Sequence, residues 1–123
     1  MVVHREKRGR ATEILASIQA AHGAGVRLLA GTGTFPGAPL HWELELFGEA
    51  GLPLFEILRI ATQEAAAAVG AETDLGTLEP GKLADIVLLD ANPLERIRNT
   101  QTIWRVIKGG WVFDPEELQP QRN

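Results

Sequence analysis

Hydrophobic spacing changes character at Gly70, and that change constrains the fold more than any single motif. Before it, apolar residues recur at helical intervals; after it, they fall in short runs separated by turn-forming residues. A chain written this way carries helices on one side of the junction and strands on the other. The expected fold class is therefore mixed: α/β, or α+β for the chain taken alone. In the first stretch, Ile14, Leu15 and Ile18 make the narrow apolar stripe of an amphipathic helix over 11–21, which Gly23 and Gly25 end. Val26 to Ala30 (VRLLA), bounded by glycines, predicts a short buried strand. The breaker-rich GTGTFPGAP of 31–39 is a loop. Leu40 to Ala50 resumes helical spacing, with Leu40, Leu44 and Phe47 on one face and Glu43, Glu45 and Glu49 among the polar positions. Gly51 suits the residue just past that helix, and Pro53 suits the first turn of a further helix reaching about Val69. Leu54, Ile57, Leu58 and Ala61 stripe this last helix, and Gly70 stops it.

From residue 71 the pattern is extended. Leu75 to Leu78 reads as a short extended piece, Glu79-Pro80-Gly81-Lys82 as a turn, and Ala84 to Asp90 (ADIVLLD) as the best strand in the chain. Asn92-Pro93 breaks it, and Leu94 to Asn99 predicts one helical turn. Thr102 to Lys108 and Trp111 to Phe113 flank Gly109-Gly110, a two-residue hairpin signal. The expected organisation is 1–70, 71–113 and a loosely held tail at 114–123.

Composition bounds the function. The 123 residues suit one domain, and a net charge of −4 argues against a nucleic-acid binder that neutralises phosphates. Zero cysteines exclude disulfides, thiolate metal sites and a cysteine nucleophile. No apolar run is long enough to cross a membrane, and MVVHREKRGR has no apolar core for a signal peptide, so a cytoplasmic location is expected.

Short motifs give little chemistry. Gly31-Thr32-Gly33 follows an expected strand and precedes a helix, but Pro36 stands where a dinucleotide fingerprint needs a third small residue. GTLEPGK (76–82) fits the outline of a phosphate loop, yet Leu83 replaces the magnesium-holding Ser or Thr and a strand follows instead of a helix. A hairpin turn explains it better. His4, His22 and His41 are scattered without ligand spacing; His41, at a helix start, is expected to hydrogen-bond locally. The three glutamates of 43–49 read as a solvated helix face, and Trp42, Trp104 and Trp111 as core or interface anchors.

Larger segments say more. Taken in order, GVRLLAGTGTFPG, LHWELELFGEAGLPLFEILRIAT, LGTLEPGKLADIVLLDANPLERI and VIKGGWVF resemble the C-terminal end of an amidohydrolase-superfamily metal-dependent hydrolase, in the imidazolonepropionase- and prolidase-like branch. The resemblance spans about residues 11–113. It implies the last βα step of a (β/α)8 barrel, followed by the C-terminal strands of a small composite β-sandwich that both chain ends build. The family binds zinc or a similar divalent metal through a His-x-His pair and further ligands that lie upstream of any segment matched here. Its remaining essential group is the aspartate of AGTD, a metal ligand and proton acceptor; Gly33 stands at that position. Glycine can neither ligate nor take a proton. The resemblance thus leaves Thr32, Gly33, Thr34 and His41 on a substrate-side loop, no metal ligand, no cofactor for the isolated chain, and no catalytic residue.

A barrel of this kind needs more than ~200 residues, so lone barrel and sandwich strands would leave apolar faces and edges uncovered. A homo-oligomer, or a chain completing the barrel, is the expected partner. Three functional readings follow: an amidohydrolase-related fragment or remnant, inactive alone, of enzymes acting on non-peptide or dipeptide C–N bonds; one part of a split hydrolase; or an oligomerisation or binding module with no hydrolytic role.

Overall fold

The computed structural model describes residues 3–33 and 37–118, with residues 3–9 and 118 by backbone alone. The element order is α1 (Val3–Gly23), α2 (Ala38–Glu49), α3 (Leu54–Ala61), α4 (Gln63–Ala68), β1 (Ile86–Leu89), a 3₁₀ helix (Ile97–Gln101), β2 (Ile103–Lys108), β3 (Trp111–Phe113) and α5 (Pro115–Leu118).

The helices build the core. Leu44 and Phe47 of α2, Ile57 and Ile60 of α3, and Ala50, Leu52 and Ile97 form one buried cluster, against which Leu15, Ile18, Leu28, Ala30, Leu54, Leu58 and Ala61 pack. Ile57 is fully buried at its centre; a side chain of that kind contributes roughly 1.5–3 kcal/mol. The turn from α2 to α3 is the one expected from Gly51. Leu52 N–H donates to the Phe47 carbonyl at 3.1 Å and Gly51 N–H to the Gly48 carbonyl at 2.9 Å. That pair of hydrogen bonds is a Schellman motif, and it requires the left-handed φ of 86° at Gly51. Its hydrophobic component is Leu52, driven into the core.

The single helix expected over 53–69 is two. Thr62 takes φ −126° and ψ −84°, and its hydroxyl donates back to the Leu58 carbonyl at 2.7 Å. A physical cause lies outside the helix: Gly76 seats its backbone against this break, so close that a Cβ there would stand 3.2 Å from the Thr62 carbonyl and 2.8 Å from the Ala66 Cβ. Leu75 to Leu78, expected to be extended, belongs instead to a run of turns closed by Leu75 N–H to the Ala71 carbonyl at 2.9 Å.

The sheet is antiparallel in the order β1-β2-β3. Ile86 faces Ile107, Val87 faces Val106, and a bulge falls between Leu88 and Leu89. Gly109-Gly110 turns the expected hairpin, pairing Lys108 with Trp111 and Val106 with Phe113. The helical turn expected at 94–99 forms at Ile97–Gln101. Asn92 explains the shift: its Oδ1 accepts from Leu94 N–H at 2.9 Å and its carbonyl accepts from the Asn99 amide at 2.8 Å. These bonds hold a turn open until Arg96, which is extended.

Two expectations fail. Residues 26–30 enter no β-ladder among the described residues, although Leu28 and Ala30 face the core while Val26 and Leu29 stay 55% and 45% exposed. The alternation is that of a strand, but no neighbouring strand supplies hydrogen bonds. Of the two roles expected for the tryptophans, the core one fails: Trp42, Trp104 and Trp111 are 61%, 52% and 77% exposed. No sheet residue joins the buried core; the sheet meets the rest of the chain through the 3₁₀ helix beside β1 and the short α5 beside β2.

Candidate functional site

The loop after residue 30 is held from one side by α2. Pro39 lies in the first turn of α2, where its missing N–H costs nothing, and Leu40 N–H closes that turn on the Gly37 carbonyl at 3.0 Å. Three polar side chains then leave the helix on different errands, while Leu44 and Phe47 point inward. Glu43 Oε2 accepts from Gly31 N–H at 2.9 Å, fixing the start of the loop. His41 Nδ1 meets the Thr100 hydroxyl at 3.0 Å, and Thr100 is buried. Glu45 Oε1 accepts from the Gln101 amide at 2.6 Å.

The candidate residues therefore divide. Thr32 is half-buried and Gly33 is exposed, with a left-handed φ of 63° and open space where a Cβ would be. Thr34 lies outside the described residues. His41 is held not locally, as its position at a helix start suggested, but by a residue 59 positions away. Glu43 and Glu45, expected to be solvated, are instead the ties that fasten the loop and the 3₁₀ helix to α2. No local pattern could have shown this, because both partners lie in segments that only the tertiary fold brings near.

Two shallow depressions flank this region. One of about 250 Å³ is lined by His22, Val26, Arg27, Leu28, Glu56, Arg59, Ile60 and Glu64. Its charges are matched internally: His22 Nε2 lies 2.7 Å from Glu56, Arg59 2.7 Å from Glu64, and Arg27 3.7 Å from the same Glu64. The other, about 380 Å³, lies between α2 and the 3₁₀ helix. Among the described residues, no three His, Asp or Glu side chains come together in a way that could hold a metal ion. No helix among them is long and apolar enough to cross a membrane.

A helical layer with the extended segment 26–30 between α1 and α2, followed by a separate antiparallel sheet, is the arrangement expected of a last barrel step with its accessory sheet. Residues 36–112 match the amidohydrolase family, and the chain belongs to that family. It corresponds to a C-terminal portion of an amidohydrolase-superfamily protein. The ochratoxinase of Aspergillus niger is 37% identical over 111 residues, covering 86% of this chain and 23% of the relative. The crystal structure of A. niger ochratoxinase superposes with a TM-score of 0.73 at 35% identity, covering 86% of this chain and 26% of that one. A Xaa-Pro dipeptidase crystal structure with methionine bound in its active site gives a TM-score of 0.76 at 30% identity, over 82% of this chain and 25% of its own. This chain thus spans about a quarter of the length of the proteins it matches. Among the described residues the set does not suit the divalent metal that the resemblance implies: Gly33 offers no side-chain donor, the Nδ1 of His41 meets the Thr100 hydroxyl, and no three ligating side chains converge.

Proposed function

We propose that this chain supplies the last barrel step and the accessory sheet of an amidohydrolase-type fold, and that by itself it neither binds the family's divalent metal nor hydrolyses a bond. The relatives act on amide and other C–N bonds, which sets the chemistry the full fold would serve. The observation that carries the reading is the side-chain inventory of the loop. By the resemblance, Gly33 stands where the family pattern has its proton-accepting aspartate, and no cluster of three ligands lies among the described residues. Glu43 and His41 serve architecture in this arrangement, since each is already bonded within the chain.

Metal analysis of the purified chain tests this directly, alongside hydrolysis assays on a Xaa-Pro dipeptide and an N-acyl amino acid. The expected result is less than stoichiometric metal after dialysis and no chelator-sensitive hydrolysis. One tightly held metal per chain, with activity that a chelator removes, overturns it.

A second part of the reading concerns association. The segment 26–30 and the faces of the sheet expose apolar side chains that would be paired in a complete barrel and sandwich. We propose that these surfaces are covered by association, most simply with a second copy of this chain, or with a chain that completes the barrel.

A further inference from the structure

The connector between α4 and β1 is folded around one buried charge. The Lys82 ammonium, on a side chain only 15% exposed, donates to the Glu72 carbonyl at 2.7 Å and to the Thr77 hydroxyl at 2.6 Å. A longer contact reaches the Leu75 carbonyl at 3.4 Å, and the Glu79 carboxylate lies at 3.7 Å. Thr77 passes the polarity on: it accepts from Lys82 and donates to Glu79 Oε1 at 2.5 Å. The same contacts hold the Glu79 carboxyl below its usual range, the Thr77 hydrogen bond first and the Lys82 charge second. Four oxygens therefore surround one nitrogen: two main-chain carbonyls, a hydroxyl and a carboxylate. That is the donor set that proteins offer to small hard cations. The loop closes behind it through Leu83 N–H to the Asp74 carbonyl at 2.9 Å, and its Gly76 rests on the α3–α4 break.

We propose that residues 72–82 form a cation cage for a primary ammonium or a small monovalent cation, and that the chain's own Lys82 is its occupant. The GTLEPGK string then has a role opposite to phosphate binding. Its lysine points inward to satisfy carbonyl oxygens, which would repel an anion. Without a cation, the Glu72 and Leu75 carbonyls and the Glu79 carboxylate face one another uncompensated, and the connector that joins the helical layer to the sheet loosens.

Chemical rescue tests the cage. Lys82→Ala removes the ammonium and leaves space; Lys82→Met keeps the bulk without the charge. Both variants are expected to lower the thermal midpoint by about 5 °C or more. Ethylammonium or potassium chloride should restore a large part of the loss to Lys82→Ala and little to Lys82→Met, whose side chain fills the cage. Tetramethylammonium chloride at equal ionic strength should restore nothing, because it is too large and has no N–H. In the unmodified protein, Lys82 should react with acetic anhydride at least tenfold more slowly than Lys108, which is 69% exposed. The proposal is overturned if Lys82→Met is as stable as the native chain, or if tetramethylammonium rescues as well as ethylammonium. It is equally overturned if Lys82→Ala stays unfolded in every salt, or if Lys82 acylates as fast as Lys108.

Discussion

Gly76 meets two separate demands, and a substitution there should expose both. Its φ of +92° is strained for any side chain, and an added Cβ would meet the Ala66 Cβ at 2.8 Å. Gly81 has the same φ of +92° with open space around it. Gly81→Ala is therefore expected to cost only the backbone strain, about 1 kcal/mol. Gly76→Ala is expected to cost about 2 kcal/mol or more, because the contact adds to the strain. Urea denaturation separates them: a lower midpoint with unchanged slope for both, and the larger shift at Gly76. Equal shifts would mean that the α3–α4 junction yields to the extra carbon. Asp85 gives a second test at this scale. The Lys108 ammonium and the Gly109 amide both bond its carboxylate, and these bonds hold its pKa below the usual range. A carboxyl depressed in the folded state contributes stability that is complete above its unfolded value, near pH 4, and is lost as pH falls through the lower folded value. Asp85→Asn should accordingly be less stable than the native chain by a constant margin above about pH 5, and that margin should shrink below about pH 4. A margin that grows on acidification contradicts the assignment.

At the scale of elements, the sequence was legible wherever a local rule decides the outcome. Gly51 ends α2 by a bonded motif that any helix could use, and Gly109-Gly110 turns a hairpin because both flanking runs favour strands. Where a distant segment decides, it was not legible. The break at Thr62 depends on the approach of Gly76, and the roles of Glu43 and Glu45 depend on Gly31 and Gln101. A breaker-rich loop leading into α2 was readable, but the bonds that fasten it were not. Residues 26–30 show the limit most directly. Their composition and alternation are those of a strand, yet a strand is a property of a pair, and no pairing partner lies among the described residues. Amide exchange should register this: protection is expected to be low at Arg27 and Leu29 and high across α3, despite the apolar character of both segments, while Val26 N–H is bonded to the Ala21 carbonyl at the end of α1. Protection at Arg27 and Leu29 equal to that of α3 in dilute protein would require a hydrogen-bonding partner in the monomer, against the structure.

For the whole molecule, the apolar surface is distributed in a way that a lone chain in water does not tolerate well. Val87, Val106, Phe113 and Trp111 share one face of the sheet by register, and of these Val87, Phe113 and Trp111 are 54%, 37% and 77% exposed. Val112 is 64% exposed on the opposite face. Neither face joins the buried core, and the short α5 beside β2 leaves these side chains exposed, so covering them falls to another chain or to another part of a longer one. The proposal of self-association makes a quantitative demand. Sedimentation across a wide concentration range should show the mass rising from one chain toward two or more, with tryptophan fluorescence becoming bluer and less accessible to acrylamide over the same range. Trp111→Ser should move the transition to at least fivefold higher concentration, because it removes a large exposed aromatic from the face that pairs. Trp42→Ser on α2, 61% exposed and outside the sheet, should leave it unchanged if the sheet is the contact. If Trp42→Ser moves the transition and Trp111→Ser does not, the association runs through α2. A single-chain mass at every concentration, with all three tryptophans open to quencher, leaves only a barrel-completing chain as the cover for these faces.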